Sequence, residues 1–87
     1  MHQFVRHASV ELKQEYEDWG ILFNTETNQG IVVNLVGMMI WEALGEGNDL
    51  AGITASLKNE FEDVPETLAE DVLEFLGELI QAGVVLG

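Results

Sequence analysis

The chain has 87 residues, no cysteine, and 16 acids against three Lys or Arg, for a formal net charge of -13. That length supports one domain, residues 1–87, with a thin core, and the missing cysteines exclude a disulfide framework or a thiolate metal site. So acidic a surface repels phosphate, which argues against nucleic acid as a partner, whereas it attracts basic partners. No stretch reaches the roughly 18 apolar residues of a membrane span, and the opening MHQFVRHAS lacks the apolar run of a secretory signal. The expectation is a soluble cytoplasmic protein with no membrane partner and no cofactor. Of the two histidines, His2 and His7, neither carries a recognisable role.

From Ser9 to Tyr16 the chain alternates, with Val10 and Leu12 on one face and Glu11, Lys13 and Glu15 on the other. A period of two is that of a half-buried strand. Glu17-Asp18-Trp19-Gly20 is read as a turn, Ile21–Phe23 as a short central strand, and residues 24–30 as a second turn rich in Asn, Thr and Gly. Ile31-Val32-Val33 is a β-branched third strand.

Asn34 is placed to cap a helix over Leu35–Leu44, with Val36, Met39, Ile40 and Leu44 near one face. Residues 45–48 end it, and Asn48 or Asp49 caps a second helix over about Leu50–Phe61 that buries Ile53, Leu57 and Phe61. Pro65 suits the first turn of a third helix ending at Ala82-Gly83. Val84-Val85-Leu86 is a short extended piece. The fold class is therefore α+β: a three-stranded antiparallel sheet followed by three helices, in a winged helix-turn-helix-like outline.

The third helix carries two apolar stripes. Leu68, Val72, Phe75, Leu76 and Leu79 have core spacing. Ala69, Leu73, Gly77 and Ile80 form a second line, with Asp71 and Glu74 nearby. Either this second line lies in a groove that takes a ligand, or the first strand or the termini cover it. The third strand has no charge or proline to protect it if it is an edge. An open edge beside an apolar helix is what β-augmentation requires.

Four runs then stand in a recognisable order: Gly20-Ile21-Leu22-Phe23-Asn24, Gly30-Ile31-Val32-Val33-Asn34, Gly37-Met38-Met39-Ile40-Trp41, and Asp71-Val72 followed by Phe75-Leu76, Leu79 and Gly83. Together they resemble the PqqD family over roughly residues 16–86. Its members include proteins of quinone-cofactor biosynthesis and stand-alone leader-binding proteins of lasso-peptide clusters. The resemblance implies non-catalytic binding of a precursor's leader peptide as an added strand beside the third strand, against the third helix. It also implies a partner maturation enzyme: a radical enzyme, a leader peptidase or a cyclase. On this sequence the site maps to Gly30, Ile31, Val32, Val33 and Asn34 for main-chain pairing. The helix side chains Ala69, Asp71, Leu73, Glu74, Gly77 and Ile80 are chosen from the second stripe. Val33 and Val36 stand where lasso-type members tend to have Leu and Thr.

Other classes fit less well. A winged-helix DNA binder is the alternative, but the second helix carries only Lys58. An acyl carrier protein would need a serine after an aspartate, and Ser9 and Ser56 lack one. No cysteine nucleophile, serine–histidine set or metal-spaced ligand set supports an enzyme. Trp41 is expected in the core, while Trp19 is assigned to a turn.

Overall fold

The computed structural model describes residues 4–86; His2 lies outside them. The elements in chain order are β1 (Val5–Arg6), β2 (Val10–Tyr16), β3 (Trp19–Asn24), β4 (Gln29–Asn34), α1 (Leu35–Gly45), α2 (Leu50–Glu60), α3 (Leu68–Gln81) and β5 (Val85–Leu86). The α+β expectation holds: β2, β3 and β4 form an antiparallel sheet in that order, followed by the three helices. Short β1 was not foreseen. It pairs antiparallel with β5, within the extended piece expected at Val84–Leu86, in a separate two-stranded ladder.

Period-two alternation sorts the central sheet. Val10, Leu22 and Val33 are buried on its inner face, where Gly20 lies close beneath Met38. Trp19, Ile21, Phe23 and Val32 belong to the opposite face, and Val32 is 67% exposed. The expected turn at residues 17–20 shrinks to Glu17-Asp18, because Trp19 and Gly20 already pair in β3. A register shift between Gln14 and Tyr16 carries Tyr16 round to meet Trp19, their rings 5.5 Å apart. At the other turn, Asn24 is buried and its side chain accepts hydrogen bonds from the amides of Glu26 and Thr27.

The helix caps follow the sequence. Asn34 accepts from the Gly37 amide at 2.9 Å and Asp49 from the Gly52 amide at 2.9 Å. Gly47 and Gly83 adopt positive φ, and the paired bonds around each, such as Val84 N–H to the Leu79 carbonyl at 3.1 Å, close a Schellman stop. Pro65 does not enter the first turn of α3. A turn bond from the Leu68 amide to the Pro65 carbonyl precedes the helix, which begins at Leu68.

Side chains of α1, α2 and α3 close over the inner sheet face. Ile40, Trp41, Leu44, Ile53, Leu57, Val72, Leu76 and Leu79 form the core with Leu22 and Val33. Trp41 is 3% exposed, as expected, and the Arg6 guanidinium lies 5.0 Å from its ring centroid. Val36, expected near one face of α1 with Met39, Ile40 and Leu44, differs from Ile40 and Leu44 in being exposed. Its neighbours Met38 and Trp41 fill that face instead, and Val36 projects towards the space between β4 and α3.

Candidate peptide-binding groove

The central sheet has two edges, and they are built differently. β2 carries Glu11, Lys13 and Glu15, an ion pair between Lys13 and Glu15 at 3.6 Å, and an irregular register near its end. These are the devices that discourage pairing with another chain. β4 reads Gln-Gly-Ile-Val-Val-Asn, uncharged and in unbroken register with β3 from Gln29↔Asn24 to Asn34↔Trp19. Among the described residues no strand lies on its outer side. In an antiparallel ladder, alternate residues turn their N–H and C=O groups away from the partner strand. Half of the β4 backbone groups therefore point into open space.

Beside that edge runs a groove lined from β4 by Val32, Val33 and Asn34, from α1 by Val36, Gly37 and Ile40, and from α3 by Leu68, Asp71, Val72, Phe75 and Glu78. Val33, Ile40 and Val72 are buried and make its floor. Gly37 sets its depth. A β-carbon there would stand 3.0 Å from the Phe75 ring and 3.0 Å from Val33, so the missing side chain is what lets the three elements converge. Asn34, spent on the α1 cap, fixes the turn from strand to helix at the mouth.

Of the residues singled out in the sequence, Val32, Val33, Asn34 and Asp71 meet in this groove. Gly30 and Ile31 lie farther along the same strand, beside Ala82 and Val84. Ala69, Leu73, Glu74, Gly77 and Ile80 do not line it. At 3.6 residues per turn, Leu73 lies about 200° round the helix from Asp71. Leu73 and Ile80 are 49% and 37% exposed, and a β-carbon on Gly77 would meet nothing within 4 Å. Neither the first strand of the sheet nor the ladder at the chain ends covers this second stripe.

Sequence reasoning missed Val36, Gly37, Ile40, Leu68, Val72, Phe75 and Glu78. Phe75 and Leu68 were assigned to plain core, yet both are only half-buried, because the core stripe has a shoulder that opens beside β4. The sequence carries no signal for this shoulder: the close approach of Gly37 to Phe75 joins two helices far apart in the chain and appears only in the fold.

Among the described residues no group of His, Asp or Glu is placed to hold a metal ion, and no helix is long and apolar enough to cross a membrane. The only charged side chains lining the groove are the acids Asp71 and Glu78. The rest of the lining is apolar apart from Asn34.

Comparison with known proteins agrees with this architecture. TbiB1, solved in complex with the TbiA(β) leader peptide, superposes with a TM-score of 0.81 at 23% identity, over 95% of this chain and 95% of that one. A lasso peptide synthetase B1 complexed with the leader peptide gives 0.82 at 18% identity, over 99% and 100%. At these identities the likeness is one of fold. A comparison with curated proteins gives no match. Residues 20–85 match the family model of coenzyme PQQ synthesis protein D (PqqD), a span that takes in β3 from its second residue, β4, all three helices and the whole groove lining. The chain belongs to the PqqD family.

Proposed function

We propose that this protein binds the leader segment of a ribosomally made precursor peptide and catalyses no reaction itself. The leader adds as a fourth strand along β4, and its inward side chains enter the groove between β4 and α3. Main-chain pairing supplies affinity that is indifferent to sequence, while the groove selects among side chains. The observation that carries this reading is the uncharged, unprotected β4 edge running directly beside an apolar cleft, in a sheet whose other edge is protected. Membership of the PqqD family supports it, as does the presence of a leader peptide in both similar solved complexes.

The leader's bound end tethers the rest of the precursor. A maturation enzyme that docks on this complex then meets its substrate at a raised effective concentration. That enzyme is a radical enzyme, a leader peptidase or a cyclase. Calorimetric titration with synthetic leaders of candidate precursors tests the proposal. One leader should bind with one-to-one stoichiometry and a negative heat-capacity change, the mark of apolar burial. Absence of binding by every leader, with the protein folded, would contradict it.

A further inference from the structure

We infer that the groove selects a leader segment in which one apolar side chain is flanked, two residues away on each side, by Lys or Arg. This rests on the strand-addition reading and specifies the chemistry of the strand. Along the groove α3 presents Asp71, then Phe75, then Glu78. At a rise of about 1.5 Å per residue, Phe75 lies about 6 Å beyond Asp71 along the helix, and Glu78 about 4.5 Å beyond Phe75. A strand laid along the helix shows every second side chain to it, at intervals of about 7 Å. With an apolar residue over Phe75, Val72 and Val33, its same-face neighbours fall within about 1–2.5 Å of the levels of the two acids, a gap that a Lys or Arg side chain spans.

The charges in the groove are all of one sign. Asp71 and Glu78 are the only acidic or basic side chains in the lining, while Arg6, Lys13 and Lys58 lie elsewhere. Asp71 accepts a hydrogen bond from the Thr67 hydroxyl at 3.2 Å, which leaves lone pairs for a ligand. Glu78 has no side-chain hydrogen bond or ion pair among the described residues. Seating a strand removes water from the apolar floor between them and strengthens any charge-assisted hydrogen bond at either end. An acidic residue at either flanking position would meet a carboxylate there.

The test uses the full chain and three synthetic ten-residue peptides with a shared Thr/Val background and central Leu. The two flanking positions are both Lys, both Gln or both Glu. Fluorescence anisotropy at low salt should rank them Lys, Gln, Glu, with each step about tenfold or more in affinity. In the double variant Asp71→Asn, Glu78→Gln the ranking should collapse to within about threefold. In the control Glu46→Gln, Glu60→Gln, which removes the same charge outside the groove lining, it should persist; this separates local recognition from the field of the whole acidic chain. Equal binding of the Lys and Glu peptides, or a ranking that survives the Asp71 and Glu78 substitutions, overturns the inference but leaves strand addition standing. If none of the three peptides binds while a complete leader does, the inference also fails. If neither peptides nor leaders bind, the strand-addition reading fails with it.

Discussion

The two flanks of α3 look alike in sequence and differ in surroundings. One carries Leu68, Asp71, Phe75 and Glu78, the other Ala69, Leu73, Gly77 and Ile80; each mixes apolar and small or polar residues at helical spacing. The first faces β4 and α1 across the groove, and the second faces open space. A helix is placed by its buried stripe, here Val72, Leu76 and Leu79, and the value of each shoulder depends on what the neighbouring element leaves beside it. Exposed apolar residues are common on protein surfaces. What gives one flank a binding role in this account is its adjacency to an unprotected strand edge.

Substitutions on the two flanks sharpen this contrast. The largest effect is expected from Phe75→Ala, which removes the groove's aromatic wall. Leader affinity should fall tenfold or more, with a loss of stability of about 2 kcal/mol because the ring is half-buried; thermal melts alongside titration separate the two. Gly37→Ala should follow. Its methyl group meets Phe75 and Val33 at 3.0 Å, so the ring shifts into the groove, affinity drops several-fold and stability falls by about 1 kcal/mol. On the outer flank Gly77→Ala should raise stability by up to about 1 kcal/mol, seen as a higher Tm, because the added methyl meets no neighbour and favours the helix. Its leader affinity should not change. Leu73→Glu is expected to do least, leaving both affinity and melting within about twofold and 0.5 kcal/mol of the parent. Should Leu73→Glu abolish leader binding while Phe75→Ala spares it, the assignment of flanks is reversed.

Much of the fold was legible because it rests on local rules. The alternation in β2, the Asn34 and Asp49 caps and the glycine stops at 47 and 83 are each set within a few residues. β1 was not legible. Two residues have no periodicity, and its pairing with β5 joins positions about eighty residues apart in the chain. The open edge that forms the strand half of the candidate site was legible too, since the lack of charge and proline in Gln29–Asn34 is a sequence property. The helix half was not. Periodicity reveals that α3 has a second apolar stripe but holds no information about which side of the helix will adjoin β4; that is settled by how Gly37 admits Phe75.

The most direct test of strand addition is residue-resolved amide hydrogen exchange on the isotope-labelled protein, with and without a bound leader peptide. Free β4 should exchange rapidly at alternate amides between Gln29 and Asn34, and the leader should protect those same amides while the β2 edge and the Leu73 flank of α3 stay unchanged. A leader that binds yet leaves the β4 pattern untouched, or that protects β2 instead, would contradict the account.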